Sequence, residues 1–258
     1  MQNQLGPFWV DENQPPAFPP PELAATDPNG LLAVGGLLTP EWLLTAYRNG
    51  IFPWFNPDEP VLWWSPTPRS LLHIPELKIS KSLRKQISSM QNQGRLDVTL
   101  DRQFSTVMHH CASVPRLGQD GSWIGKRMHD AYCKLHSIGY AHSVEVCFDG
   151  ELAGGLYGVS IGKMFFGESM FSLQSNASKI ALGALCMQLD SWGFEWVDTQ
   201  VETPHLNSLG ATCVDREHFE IILDDYCEQA FEPHLWQFDI DWVETLKHFS
   251  QRSATQML

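Results

Sequence analysis

The fold is decided by one stretch of sequence, AHSVEVCFDGELAGGLYGVSIGKMFFGESMF, residues 141–171. Apolar and small residues fill three extended runs in it, which we predict to be strands at Ala141–Phe148, Leu152–Ile161 and Lys163–Phe171. Asp149-Gly150 lies between the first two runs and is typical of a two-residue hairpin turn. These features predict an antiparallel β-meander.

Helical segments and two further strands flank the meander, so we predict an α/β fold, in the sense of an α+β mixed sheet. Prolines punctuate residues 11–30 and 51–69, which we expect to be irregular, and we place a small N-terminal domain at 1–67 and a larger one at 68–258. The strands are predicted at Arg95–Leu100 and Phe194–Val201. The helices are predicted at Glu41–Asn49, from a Ser80 cap to Gln93, from an Asp101 cap to Ser113, at Lys126–Ile138, from an Asn176 cap to Trp192, and from an Asp215 cap to Phe231.

Composition excludes several classes of protein. The 258 residues carry a net charge of −13, and no apolar run reaches the roughly 18 residues that a membrane span needs. The N-terminus lacks the basic and apolar regions of an export signal, and the six cysteines form no CxxC pair. We expect a cytoplasmic protein with reduced thiols.

Charge is unevenly distributed along the chain. Residues 78–134 carry a net charge of +6, whereas residues 190–244 carry −13. The basic helix within the first segment contains Lys81, Arg84 and Lys85, which we predict to bind tRNA phosphates. The alternative for these three residues is an ordinary solvated helix face.

Two polar motifs lie in predicted strands, one at the end of Phe194–Val201 and one inside Lys163–Phe171. Asp198 and Gln200 share one face of a strand by their spacing, and an Asp there could polarise the Gln amide. Glu168 interrupts an apolar strand, where an ionised carboxylate needs a partner. The alternative for Asp198 and Gln200 is a structural hydrogen-bond network. The alternative for Glu168 is a side chain that faces outward. The loop residues Trp54 and Trp123 could stack on a base or could cover the core.

Taken together, the motifs resemble those of the leucyl/phenylalanyl-tRNA–protein transferase family, over residues 27–235. The motifs that carry the resemblance are DPNGLLAVGG (27–36), GIFPWF (50–55), WWSPTPR (63–69), GSWI (121–124), GGLYGV (154–159), GESMFS (167–172), DTQ (198–200) and HLNSLGA (205–211).

The resemblance implies a Gcn5-type N-acetyltransferase-like C-terminal domain with a small N-terminal α/β domain. Such an enzyme moves Leu, Phe or Met from aminoacyl-tRNA to the N-terminal Arg or Lys of proteins, which marks them for degradation. It also implies that Trp54 and Trp123 clasp the terminal adenosine, and that Asp198 and Gln200 form the catalytic pair. The implied donor pocket and neighbouring substrate contacts are Leu156, Phe165, Glu168, Met170, Val197, Tyr47 and Tyr132.

The implied reaction does not require a cofactor. An aminoacyl ester is already activated toward an amine, so we expect no cofactor. We also expect a monomer with no metal and no membrane partner. Gln200 is either a base held by Asp198 or a positioning group. Two rival functions remain open: a CoA-dependent N-acyltransferase, and a non-catalytic module that binds basic N-termini.

Overall fold

The computed structural model describes residues 7–114, 124–232 and 234–255. Within them, α-helices lie around a small and a large β-sheet, which confirms the predicted α/β class. The helices are α1 Pro40–Arg48, α2 Lys81–Asn92, α3 Phe104–Ser113, α4 Lys126–Ser137, α5 Ala177–Ser191, α6 Pro204–Ser208, α7 Arg216–Cys227 and α8 Trp242–Thr255. The strands are β1 Phe8–Val10, β2 Leu31–Gly35, β3 Phe52–Pro53, β4 Leu62–Trp64, β5 Arg69–His73, β6 Leu96–Leu100, β7 Ala141–Phe148, β8 Glu151–Ile161, β9 Met164–Ser172, β10 Trp196–Gln200 and β11 Thr212–Val214.

The predicted meander forms the centre of the large sheet, whose strand order is β11-β5-β10-β9-β8-β7-β6. Asp149 and Gly150 both have positive φ, as a two-residue hairpin turn requires. Strands β9 and β10 pair in parallel, and the other neighbours in this sheet are antiparallel. None of the helices in the described ranges is long and apolar enough to cross a membrane.

Alternating residues of the large sheet feed two hydrophobic cores, one on each face. On β9, Phe166 belongs to the core that also contains α1, α3, α4 and α7, whereas Phe165 belongs to the core with α2, α5 and α8. On β8, Tyr157 and Leu156 divide in the same way. This alternation is the period-two geometry of a strand that is covered on both faces.

The individual strands of the small sheet were not predicted, although the resemblance implies a small N-terminal α/β domain. Its order is β1-β2-β4-β3, and two of its strands, β3 and β4, lie in the segment 51–69 that was expected to be irregular. Three of them have two or three residues, which is too short for a recognisable alternation pattern. The small sheet shares a core with the face of the large sheet that carries α1, and the domain boundary between residues 67 and 68 stays a prediction.

Two predicted helix caps do not form the expected side-chain hydrogen bond. Asp101 has a positive φ, and its carboxylate accepts hydrogen bonds from the Ser143 and Trp236 backbone N–H groups instead of capping α3. The Glu145 carboxylate, from β7, accepts from Gln103 N at the start of that helix. Asn176 occupies the N-cap position of α5 as predicted, but its side chain donates to Gln86 Oε1 on α2. Helix α8 was missed, and α7 ends at Cys227 rather than at Phe231.

Gly154 marks a close approach between the meander and α5. A Cβ at this position would lie 2.5 Å from Ala177 Cβ and 2.8 Å from the Phe171 carbonyl oxygen. A Cβ at Gly183, within α5, would meet Ile79 Cδ1 at 3.6 Å, which is ordinary contact. The two glycines therefore differ in what they tolerate.

We expect Gly154→Ala to lower the free energy of unfolding by about 1–3 kcal/mol, because the strand and the helix must separate. The control, Gly183→Ala, should raise it by about 0.5–1 kcal/mol, because alanine favours the helix. Urea unfolding measures both, and an equal effect of the two substitutions would contradict the close approach.

Candidate active site

The candidate site lies where β9 and β10 stop pairing. Their parallel register runs from Met164–Trp196 to Phe166–Asp198, after which β9 continues to Ser172 without β10. Each strand carries a bulge just beyond this point. Glu168 has no partner in the register with β8, and the pairing of β10 with β5 shifts between Asp198 and Gln200. Bulges re-aim side chains, and these two turn Glu168 and Gln200 toward each other.

Glu168 is the hub of a hydrogen-bond network. Its Oε1 accepts from Tyr47 Oη at 2.7 Å and from Gln200 Nε2 at 2.6 Å, and its Oε2 accepts from Tyr132 Oη at 3.1 Å. The hydroxyl groups of Tyr47 and Tyr132 also contact each other. Helices α1 and α4 thus bring two residues implied by the resemblance onto a third.

Burial decides the electrostatics of this network. It raises the pKa of Glu168 to about 7, although the hydrogen bonds from Tyr47, Gln200 and Tyr132 oppose that rise. Burial, followed by the nearby Glu168 carboxyl, also holds the pKa of both tyrosines well above its usual value. The tyrosines therefore remain protonated donors at any physiological pH.

The sequence pattern suggested that Asp198 polarises the Gln200 side-chain amide. In the structure the Asp198 carboxylate contacts the Gln200 backbone instead. Its Oδ1 accepts from the Gln200 backbone N–H at 2.8 Å, across the bulge, and Gln200 has φ 63°. The amide nitrogen of Gln200 is instead bonded to Glu168. Asp198 therefore holds the backbone of Gln200, whereas Glu168 orients its amide. With Nε2 engaged, Gln200 Oε1 is the atom of this amide that can accept a proton-bearing nitrogen.

Asp198 is fully buried and paired with Arg69, a residue to which sequence reasoning assigned no role. Arg69 Nε and Nη2 donate to the two carboxylate oxygens at 2.9 and 2.6 Å, and Nη1 donates to the Gly50 carbonyl. The guanidinium also lies against the rings of Phe52 and Phe219. Arg69 was visible at the end of the WWSPTPR motif, but nothing local indicates a partner 129 residues away.

The residues implied for the donor side chain form two cross-strand pairs. Leu156 and Met170 are cross-strand partners on β8 and β9, and Phe165 pairs with Val197 across β9 and β10. Leu156, Phe165 and Val197 are buried, and Met170 packs against the same core. They lie on β9, which carries Glu168, or on its two neighbouring strands, β8 and β10.

The two loop tryptophans fare differently. Trp54 follows β3 and is 43% exposed, with its ring tilted against Trp64 and its carbonyl accepting from Trp64 Nε1. It is therefore an accessible aromatic surface. Trp123 lies outside the described residues.

The three candidate phosphate-binding residues lie on α2, which packs against the core that also contains α5 and α8. Lys81 and Lys85 are exposed. Arg84 is less free, because its Nε and Nη2 both donate to the Ile79 carbonyl at 3.1 and 2.9 Å. The hydrogen bond between Asn176 and Gln86 brings this helix beside the start of α5, the helix that follows β9.

Comparison with known proteins covers most of the chain. The protein-family model described as leucyl/phenylalanyl-tRNA protein transferase matches residues 71–224, and the model of that family's N-terminal domain matches residues 36–67. A solved structure, that of L-PGS from Bacillus licheniformis, covers 75% of this chain and 64% of its own, at 10% identity and a TM-score of 0.38.

Curated relatives are much more similar in sequence to this chain than that solved structure is. The leucyl/phenylalanyl-tRNA–protein transferase of Hydrogenovibrio crunogenus is 58% identical and covers 92% of this chain and 90% of its own length. That of Nitrosospira multiformis is 51% identical and covers 92% and 99%. The predicted family and the predicted aminoacyltransferase class are both confirmed. This chain belongs to the leucyl/phenylalanyl-tRNA protein transferase family.

Proposed function

We propose that this protein transfers Leu, Phe or Met from aminoacyl-tRNA to the N-terminal Arg or Lys of acceptor proteins. It acts in the cytoplasm as a monomer, and its products are marked for degradation. The observation that supports this reaction best is the Gln200 amide, whose nitrogen is bonded to Glu168 and whose oxygen is therefore available to an amine. Membership of the family supports the two substrates.

The donor's end is held by stacking and by apolar contact. Trp54 offers an exposed ring to the terminal adenine, and the resemblance assigns Trp123 to the same base. The donor side chain enters between Leu156, Phe165, Met170 and Val197. Leu, Phe and Met all suit such a surface, because none of them brings a polar group that it would leave unpaired.

The transfer needs no covalent enzyme intermediate. The neutral α-amine of the acceptor attacks the ester carbonyl carbon, a carbon–nitrogen bond forms, and the bond to the ribose oxygen breaks. One proton leaves the nitrogen and ends on that oxygen. Since the pKa of an α-amine is about 7.7–8.0, a usable neutral fraction exists at physiological pH.

Gln200 positions the amine in this reaction. Its Oε1 accepts a hydrogen bond from the attacking nitrogen, while Glu168 holds Nε2 and Asp198 holds the backbone N–H. A neutral amide is a very weak base, so the proton passes to the leaving ribose oxygen rather than resting on Gln200. The two carboxylates thus orient one amide from two sides.

The two substrates are bound by regions of opposite charge. Lys81, Arg84 and Lys85 contact phosphates of the tRNA, and the acidic segment 190–244 attracts the acceptor's basic end. Glu202, which is exposed and lies two residues beyond Gln200, provides such an acidic group beside the site.

The function is tested by mixing the protein with Phe-tRNA and a peptide that begins with Arg. We expect a ribonuclease-sensitive product that begins Phe-Arg, detected by mass spectrometry, and no product from the same peptide beginning with Glu. Transfer from phenylalanyl-CoA without tRNA would support the rival acyltransferase. Peptide binding without any product would support the rival binding module.

The role of Gln200 is tested by single-turnover kinetics at saturating donor. We expect Gln200→Ala to slow the chemical step by about 100-fold, because the amine loses its acceptor. The control is Thr199→Ala, whose hydroxyl bonds Ser70 rather than Glu168, and its rate should stay close to that of the unmodified protein. A normal rate in Gln200→Ala with weaker acceptor binding would contradict the role.

The protonation of Glu168 is tested through stability. A carboxyl whose pKa is raised in the folded state stabilises the fold fully below its unfolded pKa of 4.5, and this contribution is lost as pH rises through 7. We therefore expect Glu168→Gln, which stays neutral, to gain about 2–3 kcal/mol relative to the unmodified protein between pH 5 and pH 8. Urea unfolding at four pH values measures the difference, and a constant difference would show that Glu168 does not titrate in this range.

A further inference from the structure

The loop that carries Trp54 is braced by the first turn of α4. The Arg127 guanidinium lies over the Phe55 ring, with Cζ 5.0 Å from the ring centroid. Its Nη1 donates to the Glu59 carbonyl at 3.0 Å. Phe55 directly follows Trp54 in the chain. Arg127 is therefore held against the same short loop that presents the exposed indole.

The close fit extends to the backbone. A Cβ on Gly125, just before α4, would lie 3.0 Å from Pro57 Cγ in the same loop. The helix and the loop thus pack directly on each other, and the position of Arg127 relative to the Trp54 loop is set by several contacts.

The charge of Arg127 is not neutralised by these contacts. The side chain is exposed, and within the described ranges no carboxylate oxygen lies within 4.0 Å of its guanidinium. The neighbouring Lys126 is paired with Asp130, and the Glu59 carboxylate is engaged by Asn56 N. Since Nη1 uses a carbonyl, the remaining N–H groups of Arg127 stay available to an anion.

We infer that Arg127 binds the phosphodiester that joins the donor's terminal adenosine to the preceding nucleotide. This inference rests on the proposed function, in which Trp54 stacks on that adenosine. The phosphodiester is then the donor's first negative charge beyond the stacked base. A planar guanidinium with several free N–H groups matches the oxygens of a phosphate.

Two synthetic donors separate a phosphate contact from a bracing role. One is adenosine with Phe esterified to its ribose, which has no phosphate. The other is the dinucleotide CpA with Phe on its terminal ribose, which has one phosphodiester. In Arg127→Ala we expect KM for the dinucleotide donor to rise about tenfold, and KM for the adenosine donor to stay unchanged.

Arg127→Lys keeps the charge but loses the fork, and it should recover part of the dinucleotide's affinity. The matched control is Lys134→Ala, which removes one exposed positive charge from the same helix two turns later and should change neither KM.

Equal losses with both donors in Arg127→Ala would show that the residue only braces the Trp54 loop, and would overturn the inference. Unchanged KM values for both donors, or an equal loss in Lys134→Ala, would overturn it as well. Failure of the unmodified protein to use either synthetic donor or Phe-tRNA would contradict the proposed function itself, so the two failures are distinguishable.

Discussion

The buried pair of Arg69 and Asp198 is the constraint on which the rest of the site depends. Two charges removed from water are tolerated where each is fully hydrogen-bonded, and removing one partner typically costs about 3–5 kcal/mol. Here both carboxylate oxygens accept from the guanidinium, whose third nitrogen donates to the Gly50 carbonyl. The pair therefore ties the turn after α1 to β5 and β10. The same carboxylate reaches the backbone of Gln200, so the requirement to satisfy a buried charge also sets the place of the proposed positioning amide.

The divergence of β9 and β10 explains why polar groups can occupy the middle of a sheet. The pairing of β9 with β10 ends at Phe166 and Asp198. Just beyond these residues a bulge in each strand redirects the chain, so the two strands no longer pair with each other. Glu168 enters the gap and is met by donors from two helices and one strand. The helices that carry Tyr47 and Tyr132 are thereby connected to the strand that carries Gln200. A single carboxyl thus links the face of the sheet with α1 and α4 to the end of β10.

Much of the large sheet and its helices could be predicted from the sequence, because alternation, turn residues and caps such as Ser80 and Asp215 are local signals. The small sheet could not, since three of its four strands are too short to show a pattern. The convergence of Tyr47, Tyr132 and Glu168 followed from resemblance, not from spacing. The partner of Asp198 and the direction of the Gln200 amide were beyond reach, because both depend on bulges and on a contact across 129 residues.

The 129 residues between Arg69 and Asp198 affect when the pair can form during synthesis on the ribosome. Arg69 is made 129 residues before Asp198, which at about 5–20 residues per second corresponds to a delay on the order of 10 s. During that time the N-terminal segments can collapse, but the guanidinium has no carboxylate from β10 and stays hydrated. Strand β5 gains both of its sheet neighbours, β10 and β11, from the last third of the chain. The nascent chain therefore cannot form the buried pair until β10 has been synthesised, and the proposed positioning amide of Gln200 is fixed late.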